Sequence, residues 1–263
     1  MDTLIAHFPP FDLPMAVLLA VVLVAGLARG LSGFGTGMIV APVAGALYGP
    51  KAALAIIVLI DSVPTIPVTI PALRIARWRE VLPVAAGLFL FFPAGIWLLV
   101  NGDEGLLRWL ICLAILACVA VLWFRWTYRG PRNAAVSLGV GGVAGIMSGV
   151  ASIPGPPVIA YWMTAGLPAA LVRANMLTLF FIGEFVSIGN LWLAGLFERE
   201  VVTRAIVAAP VYFAGITAGT LAFSAGGERL YRVATFGLIL LAAVLAMPLF
   251  DSLFAAVAGL FGS

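Results

Sequence analysis

The chain has 263 residues, 63% of them hydrophobic and 10% charged, with a mean hydropathy of +1.18. Soluble domains carry about 25% charged residues, so this composition excludes an ordinary soluble protein and specifies an all-α, polytopic integral membrane protein. The net charge of +3 does not signal nucleic acid, because the basic residues are scattered over short connections, as the cytoplasmic face of a membrane protein requires.

The first ten residues, MDTLIAHFPP, hold no basic region, and no small-residue cleavage site follows the first apolar run. Residues 13–28 are therefore read as a retained membrane segment and not as a removed signal. Nearly uncharged sequence continues to residue 47. As one helix, those roughly 35 residues would measure about 50 Å at about 1.5 Å each, too long for a single crossing. The stretch RGLSGFGTG at 29–37 divides them. Each glycine there would cost a continuous helix about 1 kcal/mol relative to alanine, so a broken helix is expected near 30–36. Irregular backbone survives at membrane depth only where it is buried in protein or lines a cavity.

An apolar run at 52–73 comes next, followed by a basic loop with Arg74, Arg77 and Arg79. Pro64, Pro67 and Pro71 are expected to kink or end the helix in that run. Spans at 81–100 and 106–124 flank an acidic turn, Asp103 and Glu104, and lead to a linker with Arg125, Arg129 and Arg132. Trp78, Trp97, Trp109, Trp123, Trp126 and Trp192 lie toward expected helix ends, as interface belts require.

The second half repeats this order. A span at 134–149 meets a second break, SGVASIPGPP at 148–157, whose irregular part is expected near 149–157. A short piece at 158–165, a long run at 168–194, a loop at 198–200, spans at 201–223 and 230–249, and a surface tail at 251–263 complete it. Ser32 and Gly33 match Ser148 and Gly149; a two-residue insertion then aligns Gly37 with Gly155 and Pro50 with Pro168. Residues 1–129 and 130–263 thus read as two homologous repeats of four to five membrane segments each, together one transport domain. With five segments per half, the basic residues other than Arg29 divide nine to four across the membrane, with the N-terminus outside; with four they divide eight to five. The stronger bias favours five, and an odd number makes the repeats inverted. The short pieces after the breaks stay open to a re-entrant reading.

At each break a new half-helix begins with free backbone N–H groups and a partial positive charge. Ser32, Gly33, Gly35, Thr36 and Gly37 in the first break, with Ser152 and Gly155 in the second, form a candidate anion site. Pro156 and Pro157 suit a first helical turn. The competing reading is close helix packing through small residues, as in Gly26 with Gly30 and Gly141 with Gly145. Arg29 is either a counter-charge for an anionic substrate or a side chain reaching an interface. Arg173 and Asn175 pair a fork donor with an amide and are either substrate ligands or an interfacial anchor. Asp61 and Glu184 lie deep in apolar runs and are candidates for proton coupling, or for ion pairing with Arg29 or Arg173. Ser187 and Asn190 share a helix with Glu184, and Trp162 in the second short piece is a candidate ligand contact.

His7 is the single histidine, and Cys112 and Cys118 are six apart on one apolar helix. No metal site, disulfide or catalytic cluster is expected from these, and the Gly-Pro-Lys at 49–51 lacks the order of a phosphate loop. The chain is expected to be neither an enzyme nor a cofactor carrier.

The segment RGLSGFGTGMIVAP at 29–42, then PKAAL at 50–54 and Asp61, resembles the first repeat of the sulfite exporter TauE/SafE family. Residues 145–157 with Arg173 and Asn175 resemble its second repeat, and the resemblance covers nearly the whole chain. The IPGPP at 153–157 departs from the more glycine-rich form. What the resemblance implies is secondary transport of small sulfur-containing or organic anions, such as sulfite or sulfonates, across the bacterial inner membrane. The expected partners are a small anionic substrate and the lipid bilayer, with a homodimer left open. A proton-coupled carrier is the leading expectation, with an anion channel or a non-transporting membrane subunit as alternatives.

Overall fold

A computed structural model describes residues 11–124, 128, 130–163 and 167–225. Among the described residues there are ten α-helices and no strand. They are α1 (Leu13–Ser32), α2 (Thr36–Tyr48), α3 (Pro50–Ser62), α4 (Ile66–Ile75), α5 (Trp78–Asn101), α6 (Glu104–Trp123), α7 (Ala134–Ala151), α8 (Gly155–Met163), α9 (Ala169–Leu193) and α10 (Arg199–Ala225). Among them α1, α5, α7, α9 and α10 are long and apolar enough to cross a membrane. The last span and the tail expected at 230–249 and 251–263 lie outside the described residues.

Local chemistry sets the helix ends. The Asp12 carboxylate accepts from the Met15 N–H at 2.9 Å and starts α1; Asn133 does the same for α7 through Val136. Helix α1 stops where Gly33 takes a left-handed φ of 80° and returns its N–H to the Arg29 carbonyl at 2.8 Å. Gly35, at φ 112°, starts α2. The first break is thus confined to residues 33–35, narrower than the sequence suggests. Helix α7 ends at Ser152, whose left-handed φ of 56° is unusual for a residue with a side chain. Residues 152–154 form the second break.

A third break follows from the prolines. The apolar run at 52–73 is two helices, interrupted at residues 63–65. Pro64 and Pro67 lack the N–H groups that would continue the ladder. Hydroxyls take up carbonyls in that region: Ser62 Oγ donates to Val58 at 2.5 Å, Thr65 Oγ1 to Asp61, and Thr69 Oγ1 to Thr65 at 3.0 Å. Such side-chain bonds let backbone disruption persist in an apolar surrounding.

Two long helix pairs dominate the packing, α1 against α10 and α5 against α7. Lipid tails are as apolar as leucine, so helices in a membrane associate through close packing more than through apolar burial. Glycine permits that approach. A Cβ on Gly30 would lie 2.3 Å from the Ile216 carbonyl oxygen, and one on Gly141 would lie 2.0 Å from that of Val84. Gly26 and Gly145 are equally tight against α10 and α5, so the packing reading of both glycine pairs describes what they do. Helix α9 packs on α4 and α5, and α3 on α2 and α10. The exterior is apolar, with Trp78, Trp97 and Trp192 exposed near helix ends.

Gly141→Val would drive a branched side chain into the Val84 carbonyl, and overpacking of this kind costs about 1–3 kcal/mol. Gly139 lies on the same helix with open space around it. Gly141→Val is expected to lower the thermal unfolding midpoint in detergent and Gly139→Val to leave it nearly unchanged; equal losses would mean that helix propensity, not the α5–α7 contact, sets the cost.

Candidate functional site

The first and second breaks meet. Gly37, in the first turn of α2, packs directly on the carbonyl of Ser152, where a Cβ would lie 2.0 Å from that oxygen. Beside this contact is a cavity lined by residues of α1, α2, α3, α5, α7, α8, α9 and both breaks. Its polar lining comes from Arg29, Thr36, Asp61, Ser148, Ser152 and Glu184, with Ser187 one turn below Glu184. Gly35, Gly37 and Gly155 complete the walls of the two breaks.

The centre of the site is an ion pair. Arg29 Nη2 stands 3.0 Å from Asp61 Oδ2, and each side chain is 7% exposed. Tyr212 on α10 donates its hydroxyl to Asp61 Oδ1 at 2.5 Å. With its proton committed there, the Tyr212 oxygen accepts from Thr36 Oγ1, also at 2.5 Å. The Arg29 guanidinium lies 4.6 Å from the centre of the Phe180 ring, a cation–π contact that is stronger in a desolvated place. Four helices, α1, α2, α3 and α10, are joined by this one chain of polar contacts. Two polar atoms at the site are buried without a hydrogen-bond partner among the described residues: Arg29 Nε and Glu184 Oε2.

The remaining candidates sit elsewhere. Arg173 does not line the cavity; its Nη2 donates to the Gly30 carbonyl at 3.0 Å. That carbonyl is in the last turn of α1, where no following helical N–H is available, and the Arg173 stem packs against Gly33. Asn175, two residues on, accepts from the Arg77 N–H at 2.8 Å and thereby ties α9 to the start of α5. Trp162 is fully buried in α8, also away from the cavity lining, with its indole N–H unpaired among the described residues. Ser32 closes α1; its side chain lies outside the described ones. Tyr212 and Phe180 are missing from the sequence reading. The signal for Tyr212 was a phenol in the middle of an apolar helix, where its O–H must find a partner. Among the described residues no group of His, Cys, Asp and Glu is placed to hold a metal ion.

An apolar helical bundle whose broken helices enclose a cation, two carboxyl groups and several hydroxyls has the construction of a multi-pass membrane protein that handles a small polar solute. The family model described as sulfite exporter TauE/SafE matches residues 18–246, and the chain belongs to that family. It is accordingly a membrane transporter of the sulfite or small-anion type. No curated protein and no solved structure matches the chain.

Removing one partner from a buried ion pair costs about 3–5 kcal/mol, because the other charge is left uncompensated. Asp61→Asn is therefore expected to lower the unfolding midpoint of the purified protein strongly. The double variant Arg29→Met with Asp61→Leu should recover much of the loss. A single variant as stable as wild type would show that the two charges do not depend on each other.

Proposed function

We propose that the protein is a secondary carrier that moves a compact sulfur oxyanion across the bacterial inner membrane, coupled to protons. The observation that supports this most is the cavity at the meeting of the two breaks, with Arg29 and the start of α2 on its wall. Thr36, Gly37 and Met38 begin α2, where backbone N–H groups lack helical partners and favour an anion. The start of α8 is a poorer donor, since Pro156 and Pro157 carry no N–H. The cavity offers about 40 Å³ to the centres of water-sized molecules. A space of that size suits an anion of sulfite size better than a long organosulfonate.

The packing favours a particular kind of motion. If residues 1–129 and 130–263 are repeats, α1 of the first is locked on α10 of the second, and α5 of the first on α7 of the second. Rocking of one half against the other as whole bodies would have to break both of these contacts. The exchanged pairs, α1 with α10 and α5 with α7, are the natural rigid units, with the cavity between them. Helix α2 has 13 residues, about 20 Å at about 1.5 Å per residue, against a hydrocarbon core of about 30 Å. It is too short to cross alone, which fits the re-entrant reading of the short piece after the first break.

Reconstituted protein tests this reading. Sulfite and sulfate flux into proteoliposomes should saturate with concentration, respond to a pH gradient and disappear in Arg29→Ala. Arg173→Lys, outside the cavity, should shift the KM less than twofold. Absence of flux for every small sulfur anion would overturn the proposal, and flux without saturation would indicate a channel.

A further inference from the structure

The cavity holds one cation and two carboxyl groups, and they are not equivalent. Asp61 has both oxygens in use, Oδ2 on Arg29 and Oδ1 accepting from Tyr212. Arg29 stands against it as its counter-charge, so the two side-chain charges balance. Glu184, which lines the cavity from α9, has Oε2 buried with no hydrogen-bond partner among the described residues. The helices packed on α9 bring one other ionisable group to that wall, Asp61 from α3. Arg29 faces it across the cavity from α1, α5 presents Leu88 there, α8 presents Gly155, and α4 places nothing in the lining.

Once Arg29 and Asp61 cancel, the net side-chain charge of the cavity is that of Glu184. With Glu184 ionised the cavity is negative, and an entering anion meets like charge in a poorly solvated place. With Glu184 protonated the cavity is neutral, and the carboxylic acid adds an O–H donor to the free Nε of Arg29 and the start of α2. Taking the carrier reading above as given, we infer that Glu184 is the proton site of the cycle and that proton and anion occupy the cavity together, one for one. Asp61 is then the counter-charge that positions Arg29. The proton that Glu184 takes from water on one side leaves to water on the other side with the anion. Acid outside drives uptake, and a large outward anion gradient drives export.

The test uses purified protein in detergent and methanesulfonate, which keeps a single charge across the range. Binding to wild type should weaken about tenfold per pH unit on the alkaline side of the Glu184 titration. Glu184→Gln, which mimics the protonated acid, should bind with no pH dependence. Calorimetry on that alkaline side, in buffers of different ionisation enthalpy, should report uptake of about one proton per anion by wild type. If sulfite alone binds, its own titration adds to the slope, and the difference in slope between wild type and Glu184→Gln is the readout. An unchanged slope in Glu184→Gln, a folded Glu184→Gln that binds nothing, or no proton uptake by wild type would each overturn the inference while leaving an anion carrier in place. Failure of wild type to bind sulfite, sulfate and methanesulfonate at any pH would overturn the carrier reading itself.

Discussion

The pair between Arg29 and Asp61 is the contact on which the rest of the structure depends. Each charge alone would be ruinous to bury, and together they remain costly unless every remaining oxygen and proton finds a partner. The fold supplies much of that. Tyr212 satisfies the second oxygen of Asp61, Thr36 satisfies Tyr212, and Phe180 covers the face of Arg29. Helix α3 ends just past Asp61, where Pro64 stops it and Thr65 takes the Asp61 carbonyl. The break that starts α2 lies within one turn of Arg29, so the same glycines that end α1 bring Thr36 to the site. What is left unpaired, Arg29 Nε and Glu184 Oε2, marks where a solute has something to gain.

Among the described residues this buried ion pair occurs once, although the chain reads as a duplication. Aligning Ser32 with Ser148 puts Gly145 opposite Arg29, and aligning Pro50 with Pro168 puts Leu179 opposite Asp61. Gly145 sits against the Leu88 carbonyl, where a Cβ would lie 2.6 Å from the oxygen, and Leu179 is fully buried. The position that holds a charge in one half closes a helix contact in the other. A single asymmetric site results, with chemistry concentrated on α1, α3 and α9 and with α7 and α8 supplying shape.

Much of this was legible along the chain. Glycine and proline runs marked the breaks because they weaken a continuous helix, and isolated charges in apolar runs marked Arg29, Asp61 and Glu184 because their burial demands a reason. Both marks are local. Arg173 shows where local reasoning ends: an arginine followed by an asparagine reads as a ligand pair, yet the first braces the end of α1 and the second holds the start of α5. Their partners, Gly30 and Arg77, are 143 and 98 residues away in the chain.

By itself the sequence determined that this is a helical membrane protein with two paired helix breaks and a few buried ionisable residues. Composition, periodicity and the cost of glycine or charge in a membrane helix act on single segments and can be read from single segments. Only the tertiary structure decided which charge cancels which, that Tyr212 completes the pair, and that Arg173 serves the backbone outside the cavity. Those assignments depend on which faces of distant helices meet, and the meeting is set by glycine contacts such as Gly30 on Ile216 and Gly141 on Val84. The stretch at 29–37 is therefore a helix end whose meaning comes from α3, α9 and α10.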